Sequence, residues 1–376
     1  MAPVWGHDAR LCGRLSAEKP LNKHWNVLIA GCFVLSLGVF AGAQQAAQKC
    51  TPPQSDSSLI DDHGTAHVTR VVPVPDTLSP QAQKAVAVAI PDTEVPEDLA
   101  TRRAEASAWQ VKGGEQMRQL YPVNIAEDKI AGVPVRVVTP LTIPPDKKDR
   151  VLINLHGGGF NADWGSTIET IPIANLTETK VVAVLYSLAP EHPFPAALNE
   201  AVAVYKELLK SYKPQNIGIY GTSAGAILTG EVAAKLRQLG LPLPGALGIF
   251  SGIGDFSKTG DSRALYALRG LSGPMSPPSD KSDASYTGTT PPNDPILSPV
   301  YSDLHGFPPT LFLTSGRDML LSDTVNLHRA FVNAGVPAQL VVFDGLWHAY
   351  WNEWNLPESK EAHHMMADFF DRNLGK

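Results

Sequence analysis

Seven short apolar runs punctuate the last two thirds of the chain: Val133–Val138, Val151–Leu155, Val181–Tyr186, Ile217–Tyr220, Ala246–Phe250, Thr310–Thr314 and Gln339–Phe343. Each is four to six residues long and bounded by Gly, Pro or polar residues, which predicts strands rather than buried helices. Between most of them lie stretches with helical spacing, among them Ala224–Leu239 and Leu321–Ala334, and another, Glu358–Leu374, follows the last. Strand alternating with helix predicts an α/β fold, a mostly parallel sheet covered by helices on both faces. In such a sheet the loops after the strands collect along one C-terminal edge, so the residues there are the candidates for chemistry.

The front of the chain is patterned differently. Arg10, Arg14, Lys19 and Lys23 precede an apolar stretch, Trp25 to Gly42, that closes on Ala41-Gly42-Ala43 before Gln44. That is the form of a secretory signal over residues 1–43 and predicts export to the periplasm or beyond. Two alternatives remain: an uncleaved signal anchor holding the protein to a membrane through residues 25–42, or lipid attachment at Cys32, since Leu28-Ile29-Ala30-Gly31-Cys32 looks like a bacterial lipobox. Residues 44–79 are rich in Pro, Ser, Asp and Thr without sustained periodicity and read as a flexible linker. Helical patterns follow at Pro80–Ala89 and Leu99–Gln119, interrupted by Pro91 and Pro96.

One turn in the alternating region carries a chemical signature. Gly221-Thr222-Ser223-Ala224-Gly225 lies between a predicted strand and a predicted helix, where a Gly-x-Ser-x-Gly turn forces its serine into a strained backbone and exposes the hydroxyl. The helix that follows aims its N-terminal amides at the place an oxyanion would form. A plain glycine-rich turn would look the same, so the rest of the chain has to decide. Upstream, the run Val151–Leu155 breaks into His156-Gly157-Gly158-Gly159-Phe160, whose Gly158 and Gly159 amides could join that of Ala224 as oxyanion donors. A phosphate-binding loop would continue into Gly-Lys-Ser/Thr and a dinucleotide fold into Gly-x-Gly-x-x-Gly, and neither pattern is present. His156, lying beside the glycines, reads as a loop-orienting side chain rather than a base.

A serine needs a base and an acid to orient it. Asp318, in Gly316-Arg317-Asp318, follows the strand Thr310–Thr314, and His348, in Asp344-Gly345-Leu346-Trp347-His348, follows Gln339–Phe343. Ser, Asp, His, each in a loop after its own strand, is the order of α/β-hydrolases. Asp255, after Ala246–Phe250, is the rival acid. Glu191-His192 reads as a hydrogen-bonded turn, and His363-His364, about 100° apart on a helix, cannot share a metal and read as part of a surface helix. No cluster with metal-ligand spacing occurs, and no cofactor is expected.

With these residues in view, the stretch from about Val133 to the C-terminus resembles the bacterial hormone-sensitive-lipase-like carboxylesterases, the family IV esterases of the α/β-hydrolase superfamily. The resemblance rests on His156-Gly157-Gly158-Gly159-Phe160, on Tyr186-Ser187-Leu188-Ala189-Pro190-Glu191-His192-Pro193-Phe194-Pro195-Ala196-Ala197, on the Gly-Thr-Ser-Ala-Gly turn and on Asp294-Pro295-Ile296-Leu297-Ser298-Pro299. It implies that Ser223 is the nucleophile, His348 the base, Asp318 the orienting acid, and Gly158, Gly159 and Ala224 the oxyanion donors. It also implies one hydrolase domain over 80–376, with cap helices at about 80–120 and a cap-like insertion at about 256–292 shaping the substrate pocket. Trp164, Tyr186, Phe256, Leu346 and Trp347 are candidate pocket walls, each equally readable as ordinary core. Thr222 stands where many relatives have Asp, and Ser187 where relatives often have Arg.

Composition narrows the partners. The 376 residues are 43% hydrophobic, enough for a large core, and the formal charge of −6 disfavours nucleic acid. Cleavage before Gln44 would remove two of the three cysteines and leave no intrachain disulfide. A small-molecule ester is the expected partner, and a homodimer stays open. The expected activity is carboxylic-ester hydrolysis on small or short-acyl-chain esters. Hydrolysis of lactones, amides or acetylated sugars would use the same residues, and a binding protein of the same fold is the alternative of another class.

Overall fold

The structure, a computed structural model, describes residues 55–88, 98–268, 271 and 285–375. The secretory-signal stretch, Cys32 and, within the 256–292 insertion, residues 269–270 and 272–284 lie outside the described residues. Two compact units divide the chain, residues 1–71 and 72–376. In the first, β1 (Ser57–Ile60) and β2 (Ala66–Thr69) form an antiparallel hairpin, and the Val71 amide donates to Asp56 at 2.9 Å. Part of the stretch expected as linker therefore pairs as strands. Its alternating Ser-Leu and Ala-Val positions are too few to register as periodicity. The end of the same stretch is anchored too, because Leu78 is buried within the second unit.

The second unit is built on an eight-stranded sheet in the order β10-β9-β8-β7-β5-β6-β4-β3. Its strands are β3 (Val123–Ile130), β4 (Val133–Pro140), β5 (Val151–Leu155), β6 (Lys180–Val184), β7 (Ile217–Thr222), β8 (Ala246–Phe250), β9 (Thr310–Ser315) and β10 (Ala338–Phe343). From β6 to β10 every pairing is parallel, whereas β4 pairs antiparallel to both β6 and β3. The α/β expectation holds. All seven predicted strands form, and β3 is an eighth that periodicity missed. As an edge strand it is exposed at most positions, so Asn124, Glu127, Asp128 and Lys129 replace the apolar run that marks a central strand. A two-residue turn, Ala131-Gly132, joins it to β4 with both residues at positive φ, 52° and 81°, the twist a tight hairpin needs.

The helices are α1 (Pro80–Val86), α2 (Leu99–Leu120), α3 (Thr170–Thr177), α4 (Ala196–Leu208), α5 (Ala224–Gln238), α6 (Asp261–Tyr266), α7 (Leu321–Asn333) and α8 (Pro357–Asn373). Every residue of β5, β7, β8 and β9 is buried, because helices cover both sheet faces. One apolar layer joins Ile153, Ile219 and Ile249 to α4, α5 and α7, and the other joins Leu152, Tyr220 and Phe250 to α3 and α8. Burying Ile, Leu or Phe side chains is worth roughly 1.5–3 kcal/mol each, so these two layers supply most of the cohesion that holds the loops of the C-terminal edge in place. His363, expected on a surface helix, instead lies on the inner face of α8 at 2% exposure against the Tyr121 ring.

Candidate active site

Ser223 links β7 directly to α5 with φ 57° and ψ −120°, a conformation costly for any residue with a Cβ. Its amide donates to the Phe250 carbonyl at 2.9 Å, which pins the turn to β8. The flanking glycines are obligatory on steric grounds. A Cβ on Gly221 would stand 2.3 Å from the Leu155 carbonyl oxygen, and one on Gly225 only 1.7 Å from that same atom. The end of β5 thus presses straight onto the serine turn.

Beyond Leu155 the glycine loop begins. Gly158 and Gly159 have φ 125° and 61°, and a Cβ on Gly158 would meet the Ala162 carbonyl oxygen at 2.0 Å. Among the described residues neither of their amides donates to a protein acceptor. The Asn161 and Ala162 amides close the loop onto the Gly158 carbonyl at 3.2 Å. His156 stacks on Tyr186 at 4.1 Å between ring centres, and its Nδ1 lies 2.9 Å from the Gly157 carbonyl. That is the loop-orienting part expected of it.

Asp318 and His348 come together after β9 and β10. His348 Nδ1 lies 2.8 Å from Asp318 Oδ1. The Leu320 amide also donates to Oδ1, at 2.8 Å, while the hydroxyls of Thr314, at 2.8 Å, and Ser251 donate to Oδ2. Burial opposes the charge on Asp318, but His348 and the hydrogen bonds from His348, Ser251 and Leu320 outweigh it, so its carboxyl sits below the usual range and stays ionised. Asp318 is fully buried, and His348 is 1% exposed. Its Nε2 is buried without a hydrogen-bond partner. The Ser315 hydroxyl donates to the carbonyls of Leu346 and Trp347, at 2.7 and 3.0 Å, holding the His348 loop against β9. Trp351 Nε1 then donates to Thr222 Oγ1 at 3.1 Å, joining the segment after His348 to the serine turn. A nucleophile turn, a histidine backed by a carboxylate and a loop with free amides share one sheet edge, the set that acyl transfer requires.

A protein-family model described as the alpha/beta hydrolase fold matches residues 152–352. The chain belongs to this family. Its likeness to bacterial hormone-sensitive-lipase esterases extends beyond the motifs. A solved esterase structure aligns with TM-score 0.72 and 32% identity over 82% of this chain and 98% of its own. Another, an esterase from the bacterial hormone-sensitive lipase family, aligns with TM-score 0.66 and 29% identity over 75% and 94%. An acetyl-hydrolase of Streptomyces hygroscopicus is 29% identical over 71% of this chain and 94% of its own.

Within this hydrolase, three candidate pocket walls pack in the core, the other of the two readings the sequence allowed them. Tyr186, at 3% exposure, donates its hydroxyl to the His156 carbonyl at 2.6 Å. Leu346 and Trp347, at 0% and 3%, pack in the layer with Tyr350 and Trp351. Their closeness to His348 in sequence says nothing of where the side chains turn. Trp164 lies against the glycine loop, 3.0 Å from where a Gly158 Cβ would be, and 5.9 Å from Trp109 of α2. Phe256 is partly buried and 6.3 Å from Tyr286. Asp255 bonds Ser257 and Tyr301, the latter at 2.9 Å, and takes no part with His348.

Sequence reasoning missed several supporting residues. Arg103 of α2 donates to the Asn161 carbonyl at 2.8 Å and to both oxygens of Glu191, fastening that helix to the glycine loop and to the Ala189–Glu191 turn. Glu191 is thereby held down to about 2, chiefly by the Arg103 hydrogen bond, and serves as an anchor, in keeping with its structural reading. Ser187 bonds the Glu200 carboxylate with amide and hydroxyl, both at 2.6 Å, so hydrogen bonds stand where a charged residue would have made an ion pair. Ser251, Thr314 and Glu169 carried no motif. The signal available for the first two was their place at the ends of β8 and β9, beside the acid.

Proposed function

We propose that this hydrolase is a serine carboxylesterase that cleaves small or short-acyl-chain esters through an acyl-enzyme. The observation that carries the reading is the buried Asp318–His348 pair, whose Nε2 has no partner, on the same sheet edge as the strained Ser223 turn. The esterase and acetyl-hydrolase names of its relatives support it.

Asp318 accepts the Nδ1 proton of His348, which leaves Nε2 with a free lone pair. Ser223 Oγ attacks the ester carbonyl carbon while Nε2 takes its proton. The carbonyl oxygen gains the negative charge and is received by the Gly158, Gly159 and Ala224 amides. The tetrahedral intermediate collapses, the carbon–oxygen bond to the alcohol breaks, and the imidazolium returns the proton to the departing alkoxide. Water repeats the sequence on the acyl-enzyme and releases acid and Ser223. Each oxyanion donor is worth about 3 kcal/mol in the transition state. Trp164 at the glycine loop and Phe256 near Tyr286 limit the acyl and alcohol pockets.

The test is hydrolysis of p-nitrophenyl acetate, butyrate, octanoate and palmitate by the protein and by Ser223→Ala. Activity on the two short esters that falls on the order of 10⁴-fold or more in the variant supports the mechanism. A folded parent inert on every ester and unlabelled by a fluorophosphonate removes it, and a preference for palmitate removes the short-chain part. Residues 1–43 act as an export signal in this reading, supported by the basic, apolar and Ala-x-Ala order of the sequence. Intact mass of the protein from cell envelope or medium decides it, with cleavage before Gln44 expected and a retained leader or lipid on Cys32 against it.

A further inference from the structure

Glu169 is a fully buried carboxyl with no part in the chemistry above. It immediately precedes α3 and reaches back under the glycine loop. The Gly157 amide donates to its Oε1 at 3.2 Å and Asn154 Nδ2 to its Oε2 at 3.0 Å, while Thr222 lies within hydrogen-bonding reach. A Cβ placed on Gly157 would stand 3.0 Å from the Thr222 carbonyl oxygen, 3.4 Å from Glu169 Oε1 and 3.6 Å from Ser223 Cβ. The loop, the carboxyl and the nucleophile therefore converge on one point. Room has been made for the carboxyl, because a Cβ on Gly165 would fall 2.0 Å from Oε1. Through Thr222 Oγ1 the set continues to Trp351, three residues beyond His348.

We propose that Glu169 is a positioning residue: its carboxyl fixes the Gly157 peptide against Asn154 and the serine turn, so that the Gly158 and Gly159 amides keep their spacing from Ser223. This rests on the esterase reading and adds a supporting residue that the triad does not include. A filler of equal volume would pack as well, so it is the hydrogen bonding that needs an acid or amide here. The carboxyl also has to be uncharged, because a negative charge one peptide away from the donors opposes an oxyanion forming on them. Burial supplies that condition, pushing the group up to about 8 against the bonds from Asn154 and Gly157. Around it stand Asp163 on the same loop, held below the usual carboxylate range, His156 on the glycine loop, and Tyr186 and Tyr220, both pushed well above the usual tyrosine value by burial. Neither tyrosine loses its proton near pH 8, nor does Asp163 gain one, which leaves Glu169 as the group among these carboxyls and phenols that changes charge there.

The experiment compares the parent, Glu169→Gln and Glu169→Met by kcat and KM on p-nitrophenyl butyrate from pH 6 to 9.5, with thermal unfolding of each. The expected result has three parts. Glu169→Met, which fills the space without hydrogen bonds, loses about 10- to 100-fold in kcat with KM within about threefold. Glu169→Gln, an uncharged isostere, keeps kcat within about threefold of the parent at pH 7. Finally, the parent's kcat declines as pH rises through about 8 and that decline is absent in Glu169→Gln. Variants that match the parent at every pH overturn the proposal, as do variants that lose kcat in proportion to lost thermal stability with the parent's pH profile intact. If Glu169→Met does not fold, the pH profile of Glu169→Gln decides alone, and a decline shared with the parent overturns it. A parent inert on all esters removes the esterase reading and this inference with it, whereas an active parent with unaltered variants removes the inference only.

Discussion

Replacing His363 by Leu should change how stability depends on pH, by an amount the burial of this ring sets. The side chain lies on the inner face of α8, its ring edge-on to Tyr121 at 5.9 Å, and its ring nitrogens have no well-formed hydrogen bond, only a weak interaction with the Trp351 backbone. Burial first, then the neighbouring His364, pushes it down to about 3, with the Trp351 backbone opposing. In the unfolded chain a histidine titrates near 6.5. Between those values the unfolded state takes up a proton that the folded state refuses, so stability falls as pH falls below 6.5 and stops falling below about 3. At about 1.4 kcal/mol per pH unit, the loss reaches about 2 kcal/mol by pH 5. Carboxyls with raised values, Glu169 and Glu231, act with the opposite sign, since they refuse to ionise when folded and favour the folded state at lower pH. They are present in both proteins and cancel from the difference. Urea unfolding of parent and His363→Leu at pH 7 and pH 5, followed by circular dichroism, reads that difference. The parent should lose about 2 kcal/mol more than the variant on acidification. Equal losses, within about 0.5 kcal/mol, would refute the reasoning that this buried ring governs the acid limb.

Two substitutions separate chemistry from scaffold. Asp318→Asn should lower kcat/KM about 10³- to 10⁴-fold because an amide in place of the acceptor no longer holds His348 in the tautomer with a free Nε2, and a variant retaining a tenth of the activity would count against Asp318 as the orienting acid. Gly225→Ala should cost about 3 kcal/mol or more in urea unfolding, since its Cβ would stand 1.7 Å from the Leu155 carbonyl oxygen, while Gly230→Ala, on the same helix with its nearest contact at 3.3 Å, should shift stability by about 1 kcal/mol or less. Equal effects from the two glycines would mean that the contact between β5 and the serine turn is not the constraint it looks to be.

How much of this was legible in the sequence depended on whether the signal was local. The seven predicted strands announced themselves as mainly apolar runs, four of them, β5, β7, β8 and β9, buried at every position, whereas β3 at the edge carries Glu127, Asp128 and Lys129 and gave no run to read. Ser223, Asp318 and His348 could be singled out because each follows the end of a strand, and strand ends are visible in one sequence. Tyr186, Leu346 and Trp347, readable in the sequence as either pocket wall or core, pack in the apolar layers, a choice that nearness along the chain cannot make because it fixes a backbone position but not where a ring turns. His363 reads as part of a surface helix once the His363-His364 pair is excluded as a metal site, yet the apolar stripe of α8 runs through Ala362, Met366 and Phe370 beside it. Arg103 and Glu169 were out of reach, since their partners lie in segments separated from them in the chain and no spacing rule connects the two.

That last pair shows what the glycine motifs encode. The two glycine-rich stretches, 157–159 and 221–225, read as separate signals, each weak alone, but in the folded chain they are one steric constraint. The Leu155 carbonyl oxygen sits against both Gly221 and Gly225, the next peptide leads to Gly157, and Gly157 faces Ser223 and Glu169. The glycine loop can lie this close to the serine turn only if neither side carries a Cβ, and the closeness is what brings the donors of one strand end to the nucleophile of its neighbour, since β5 and β7 are adjacent in the sheet. The co-occurrence of the two motifs was therefore stronger evidence than the product of their separate odds. An oxyanion loop without the matching glycines in the serine turn would have no room to approach it, and the turn without the loop would hold its strained conformation to no chemical end.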